Sequence, residues 1–287
     1  MLLEEYLQKN YTPKTAIAYQ REIEIYLSNN KKAENYNYTD IIKCIGRLRE
    51  KYKNSKTINR ILASIKAYYS YLCHIDKRRD NPAKSIHLKD KQSRDIQLQD
   101  LFSTEELEKL LNAKKERYNK LDYRNRVLMS LLIYQALKPQ EIERIEISEI
   151  NIEDGTIYVK SSPKNNSRTL DLRANQILLF KKYIEEIRPR LLNGKVLSNL
   201  IIGHRSEAMT GEDITKHIKR NYNIYLPRKL NAQTIRQSVI TNLLKQNNDL
   251  RIVQSFAGHK YPSTTERYKQ TNIEALQTAL KVYHPIR

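Results

Sequence analysis

Gln233-Thr234-Ile235-Arg236, Asp249-Leu250-Arg251-Ile252-Val253-Gln254, Ala257-Gly258-His259-Lys260 and Ser263-Thr264-Thr265-Glu266-Arg267-Tyr268 are the segments on which the reading of this chain turns. The apolar positions Ile235, Val239, Ile240, Leu243 and Leu244 recur at helical spacing, so a helix over 231–246 carries Arg236. Further helices are predicted over 249–257 and 263–270, with Gly258 ending the first of them. Taken singly, Arg236 reads as a surface cation, His259 as a helix cap and Tyr268 as a core aromatic. Taken together, His259 stands 23 residues after Arg236 and Tyr268 nine after His259, which spaces a cation, an imidazole and a phenol along one helical segment.

Outward from this stretch, the strand signal is confined to the middle of the chain. Residues 150–153, the Asp154-Gly155 turn, 156–160, a polar loop and 168–172 with alternating apolar positions predict a three-stranded meander. Helices are predicted on its C-terminal side over 175–192, 211–223 and 272–283. On its N-terminal side Ser103 and Glu106 have capping-box spacing ahead of Leu107, Leu110 and Leu111. Residues 89–100 lose all periodicity and read as a solvated linker. Ahead of the linker, helices are predicted from Thr12-Pro13, over 39–52, over 55–73 and from Asn81-Pro82, a four-helix unit over 1–88. A second domain is predicted over 101–287. The fold class is therefore mainly α, with a small three-stranded antiparallel sheet in the C-terminal of two domains.

Composition narrows the partner. The 287 residues carry 52 Lys and Arg against 32 Asp and Glu, a net charge of +20, which suits a polyanion better than a neutral small molecule. Residues 1–100 hold net +8 and the remainder +12, so both halves are basic, as two arms gripping one duplex need to be. The longest apolar run, 127–137, is interrupted by Ser130 and Gln135 and is too short for a bilayer, so no membrane partner is expected. The opening Met-Leu-Leu-Glu-Glu carries carboxylates where a secretory peptide needs cations, and a cytoplasmic location is the expectation. Cys44 and Cys73 show no metal-ligand spacing and read as reduced core thiols, and most of the 20 Tyr fall in apolar stripes and read as core. The runs Lys77-Arg78-Arg79 and Lys51, Lys53 and Lys56 read either as phosphate contacts or as a solvated face.

The segments quoted above resemble the C-terminal signature of the tyrosine recombinase (phage integrase) family, a His-x-x-Arg followed by a Leu-Gly-His turn and a nucleophilic Tyr at these same two spacings. Ala136-Leu137-Lys138-Pro139-Gln140-Glu141-Ile142 resembles the family's Gly-Leu-Arg-x-x-Glu-Leu box. The region from Thr12-Pro13 to Asn81-Pro82 looks like its helical core-DNA-binding domain. The resemblance implies a two-domain tyrosine-recombinase-like architecture with a catalytic domain over 101–287, whose terminal helix is exchanged between subunits. It implies as partners double-stranded DNA, a homodimer on each site and a homotetramer in synapsis.

What the resemblance implies chemically fits the residue types. Attack of a phenol on a phosphodiester builds negative charge on the nonbridging oxygens, and fixed cations and donors around that phosphate lower the barrier. Arg236, Lys138 and His259 would supply them. Tyr268 would form a 3′-phosphotyrosyl link, while a strand-turn lysine protonates the departing 5′ oxygen. The bond energy is retained, so no cofactor, metal or ATP is expected. Two candidates stand for the lysine, Lys160 and Lys164, and counting back from Arg168 favours Lys164. Lys138 departs from the family's Arg, giving a point charge in place of a planar fork. Gln233 departs from the usual His or Lys and reads equally as a hydrogen-bond donor or a spacer. Glu141 either orients a cation or faces solvent. The expected activity is site-specific strand cleavage and rejoining; the alternative is a catalytically impaired protein of the same fold, a repressor or accessory factor.

Overall fold

The computed structural model describes residues 1–90, 100–114, 116–222, 228 and 230–269. Most of the expected linker (91–99) and the whole of the expected terminal helix lie outside the described residues. The chain divides into two compact units, residues 1–94 and 95–287.

The first unit holds α1 (Leu3–Asn10), α2 (Pro13–Asn29), α3 (Tyr38–Lys51) and α4 (Ser55–His74). Pro13 opens α2 at a position where the missing N–H costs nothing. At α3, Asn37 Oδ1 accepts the Asp40 N–H and the Asp40 carboxylate accepts the Asn37 N–H, both at 3.1 Å, a reciprocal cap. Leu7, Ile23, Ile41, Ile58, Ile65 and Leu72 fill the core. Tyr26 and Tyr69 join them with their hydroxyls 2.8 Å apart, and Tyr69 also donates to the Ala33 carbonyl, so these buried phenols are partnered.

The described helices of this unit are not the four that periodicity predicts. No helix starts at Asn81-Pro82. The Asn81 side chain instead accepts the Ala83 N–H and donates to the Lys66 carbonyl and Ser70 Oγ of α4, which makes residues 81–86 a turn stapled to α4. The additional helix is α1, a short element with Leu7 as its one fully buried side chain, held by packing on α2 and α4.

The second unit holds α5 (Thr104–Ala113), α6 (Asn119–Tyr134), α7 (Pro139–Arg144), β1 (Ile150–Asn151), β2 (Thr156–Val159), β3 (Arg168–Asp171), α8 (Ala174–Lys182), α9 (Arg188–Leu192), α10 (Gly211–Asn221), α11 (Ala232–Lys245), α12 (Leu250–Ala257) and α13 (Pro262–Lys269). Helix α6 is buried around its whole circumference from Val127 to Ile133, so its sequence shows an apolar run and no amphipathic period. Its one interior hydroxyl, Ser130, accepts from Gln176, which is paired in turn with Gln135. The strands form one antiparallel sheet in the order β1-β2-β3, as the meander predicts, with Ile157 opposite Leu170 and Val159 opposite Arg168. Helices α8 and α9 follow each other through a π-helical turn at Tyr183–Ile187. Pro189 accounts for it, because a wider turn relieves the clash of the ring with the carbonyl four residues back.

Candidate active site

Helix α7 starts one side of the site. Lys138 is its N-cap residue and Glu141 its third residue, and the Glu141 carboxylate accepts the Lys138 N–H at 2.9 Å. Glu141 is buried and gathers four partners. Arg168 from β3 meets it with two parallel bonds of 3.1 Å, Asn165 donates to Oε1 at 2.8 Å, and Arg236 Nη1 lies 3.8 Å from Oε2. Of the two readings of Glu141, the structure takes the one that orients cations. Burial alone raises its pKa, but the Arg168 bonds, the charges of Arg168 and Arg236 and the Lys138 N–H outweigh burial and hold it below the usual carboxylate range.

Arg236 comes from the first turns of α11, where Asn231 caps the helix by accepting the N–H groups of Gln233 and Thr234. Its side chain is only 5% exposed and donates to the Ala136 and Ala257 carbonyls, so it is a fixed interior cation and not a surface one. Ala136 presents that carbonyl from a left-handed backbone at φ +50°. Gln233 lies on the exposed surface of the same helix, with its backbone N–H engaged at the cap.

The end of α12 brings in His259. Gly258 takes the left-handed conformation at φ +67°, and the His259 N–H turns back to the Gln254 carbonyl at 3.0 Å. Asn165 and His259 form an isolated antiparallel bridge, and the Asn166 N–H reaches the Gly258 carbonyl, so the polar loop between β2 and β3 is stitched to the α12 terminus. His259 Nδ1 lies 2.9 Å from the Thr265 hydroxyl. Burial, then the charges of Arg236, Lys138 and Arg168, press the imidazole pKa down to about 3, so the ring is neutral near pH 7.

Tyr268, on α13, stacks on His259 with ring centroids 5.9 Å apart and planes 19° from parallel. It also packs on the small apolar cluster of Ile240, Val253 and Ala257. Burial raises its pKa, and Arg236 and Arg267 pull in the opposite direction. The structure thus brings Lys138, Glu141, Arg236, His259 and Tyr268 together from four separate helical segments and leaves Gln233 at the surface.

The two lysine candidates separate by their partners. Lys160 pairs with Glu146 and Glu149 at 3.4 and 3.2 Å. Lys164 stands exposed in the Ser162–Asn165 turn, and among the described residues no carboxylate pairs with it. A cavity of about 420 Å³ opens between this turn and α7, lined by Lys138, Glu141, Lys160, Lys164 and Asn165 among others. Among the other basic residues, Arg78 is committed to the Glu34 and Tyr36 carbonyls, while Lys77, Arg79, Lys51, Lys53 and Lys56 are exposed.

Two members of the cluster went unnoticed in the sequence, Arg168 and Asn165. Arg168 carried a signal, since strand alternation places it on the inward face with Leu170. Asn165 carried none, because a loop Asn is ordinarily a turn former. The cluster holds Lys138, Arg168 and Arg236 around one carboxylate, with Lys164 near enough to lower the Lys138 pKa after burial and the two arginines. The arrangement sets an excess of positive charge over one carboxylate beside the Tyr268 ring.

The chain belongs to the phage integrase family: residues 101–274 match the model of that family, and residues 2–75 match the phage integrase N-terminal SAM-like domain. It is similar to the tyrosine recombinase XerD of Staphylococcus saprophyticus subsp. saprophyticus, 27% identical over 99% of this chain and 98% of the relative, and to XerD of Staphylococcus aureus at 26% with the same coverage. In fold it resembles a XerH site-specific recombinase bound to palindromic difH substrate in a post-cleavage complex. The TM-score is 0.69 at 22% identity, over 92% of this chain and 77% of that one. A dimer of lambda integrase bound to a COC′ core site gives 0.67 at 15% identity, over 92% of each chain. Among the described residues no helix is long and apolar enough to cross a membrane.

Proposed function

We infer that this chain is a site-specific tyrosine recombinase that cleaves and rejoins DNA strands through a 3′-phosphotyrosyl intermediate. The observation that carries this reading is the stack of Tyr268 on His259 beside the buried Arg236, in a cluster whose positive charge one carboxylate does not balance. A phosphodiester supplies the missing negative charge. Arg236, Lys138 and His259 hold its nonbridging oxygens, and Glu141 and Arg168 fix the arginine and the strand that frame them. The Tyr268 oxygen bonds to phosphorus as its proton passes to solvent water, the bond to the 5′ oxygen breaks, and Lys164 gives that oxygen a proton. Lys164 is preferred to Lys160 because Lys160 is already paired with two carboxylates. Reversal by the 5′-hydroxyl of another strand completes the exchange.

Residues 1–88 serve as the core DNA-binding domain and 101–287 as the catalytic domain, with double-stranded DNA as the partner, a dimer on each site and a tetramer in synapsis. The net charge of +20 and the DNA complexes of the structural relatives support DNA binding. The second reading, a DNA-binding protein of this fold without cleavage, is favoured by Lys138 in place of Arg and by the surface position of Gln233.

The test uses duplexes selected for binding from a random-sequence pool and then nicked close to the bound centre. The wild-type protein is expected to form a covalent adduct, and Tyr268→Phe to bind equally well and form none. Binding without any adduct from the wild type establishes the second reading, and an undiminished adduct from Tyr268→Phe removes Tyr268 from the mechanism.

A further inference from the structure

We propose that Asn165 is a positioning residue that aims the Lys138 ammonium at the scissile phosphate and so makes a lysine workable at this position; the proposal rests on the recombinase reading above. Asn165 is 5% exposed, and both ends of its carboxamide are in use. Its Oδ1 accepts from Lys138 Nζ at 2.9 Å and its Nδ2 donates to Glu141 Oε1 at 2.8 Å. Its backbone forms the bridge to His259 and closes the turn that carries Lys164, with the Ser162 N–H on its carbonyl at 2.8 Å. One side chain therefore links Lys138 to the carboxylate that anchors Arg168 and Arg236, and one residue links the Lys164 turn to the His259 turn.

The need for such a link follows from the chemistry of the two cations. A guanidinium presents a planar fork of donors whose direction is set by the fork itself. An ammonium on four methylenes is a point charge with three rotatable donors, and nothing intrinsic to it selects a direction. Its neighbours do not select one either. Arg236 on α11, Arg168 on β3 and Lys164 in the turn all repel it, His259 is neutral, and Glu141 on α7 attracts it but has both oxygens committed, Oε1 to Arg168 and Asn165 and Oε2 to Arg168 and the Lys138 N–H. Asn165 Oδ1 is the acceptor that draws Nζ to one place, with two N–H groups left for phosphate oxygens. Because Nδ2 is anchored on Glu141, the amide cannot turn its oxygen away without leaving a buried donor unpaired.

Two measurements test this. In the first, adduct formation on the nicked duplex is followed under single-turnover conditions for Asn165→Ala in the wild-type and in the Lys138→Arg backgrounds. Loss of one bond to a charged donor predicts an effect of about 10- to 100-fold with lysine present. In the Lys138→Arg background the same substitution is expected to cost less than about threefold, since the fork directs itself. An equal cost in both backgrounds overturns the proposal, because Asn165 then acts through something other than Lys138.

The second measurement needs no catalysis. Lys138 acylation by an amine-reactive reagent at mildly alkaline pH is quantified by mass spectrometry in the full chain. Asn165→Asp, which sets a carboxylate against Nζ, is expected to raise the Lys138 pKa and slow acylation. Asn165→Ala, which removes the acceptor, is expected to speed it. Loosening of the fold would speed both, so opposite directions identify the contact. Acylation that is the same in all three proteins, or faster in both variants, overturns the proposal. Acylation that follows the expected order in a protein forming no adduct leaves Asn165 assigned and refutes the recombinase reading alone.

Discussion

Gly258 lies so close to the Arg168 guanidinium that a Cβ built on it would stand 2.4 Å from Nη1, and its φ of +67° is one that side-chain-bearing residues avoid. Gly258→Ala is therefore expected to cost at least about 2 kcal/mol, from left-handed backbone strain together with displacement of a buried, paired guanidinium. Denaturant unfolding measures this, and adduct formation should fall with it. Ala136 is the opposite case. It holds φ +50° with a methyl group where the resembled family box has glycine, and its carbonyl carries Arg236. Ala136→Gly is expected to stabilise the chain by about 0.5–1 kcal/mol, because the left-handed penalty removed exceeds the extra freedom that glycine gives the unfolded state. A higher denaturant midpoint with an unchanged slope is the outcome to look for.

At the scale of the element, α7 matters because of what its first turn holds. Glu141 caps the helix backbone and pairs with two arginines from β3 and α11, so one short helix locks a strand and a distant helix together. Glu141→Gln keeps the shape and removes the charge, leaving Arg168 and Arg236 buried beside a neutral amide. The expected loss is about 3–5 kcal/mol by chemical denaturation, the range for breaking a buried pair from one side. Glu212→Gln provides the contrast. Its partner Lys216 lies one turn along α10 with both side chains in solvent, and the denaturant midpoint is expected to stay unchanged.

For the molecule as a whole, two histidines of the second unit make stability depend on pH. His259 is pressed down to about 3, and His217 to about 4 by burial and then by Arg124 and Lys114. Both are neutral in the folded state and take up protons on unfolding below about pH 6.5, so stability falls as pH drops from there toward the folded values. The Glu141 contribution has the window below it. With its folded pKa under the ordinary carboxylate value of 4.5, that contribution is lost only as pH falls further through the folded value. Between about pH 7 and pH 4.5 the histidines together should remove about 3 kcal/mol or more. Urea midpoints measured across that range should decline, and a His217→Asn, His259→Asn double variant should decline much less. An unaltered decline in that variant would assign the effect to other groups.

Periodicity, capping signals and charge count determined by themselves that this chain is two basic, mainly helical units, the second of which contains a small meander. They did so because amphipathic helices and alternating strands write their buried faces into the chain. The spacing of Arg236, His259 and Tyr268 likewise marked the site, since helices and a tight glycine turn convert fixed separations in sequence into fixed positions in space. Helix α6 escaped because a helix buried on all sides has no period to read, and the turn at Asn81 because an Asn-Pro start resembles a cap until its side chain is seen to bond α4. Only the tertiary structure decided what Glu141 and Asn165 bond to, and that Lys160 is paired while, among the described residues, no carboxylate pairs with Lys164. Those outcomes depend on which side chains meet across sequence separations of 24 and 27, as in the bonds of Asn165 with Glu141 and Lys138. No local pattern encodes such a meeting, because it is the packing of α7, β3, α11 and α12 that sets which polar groups must find each other once water is excluded.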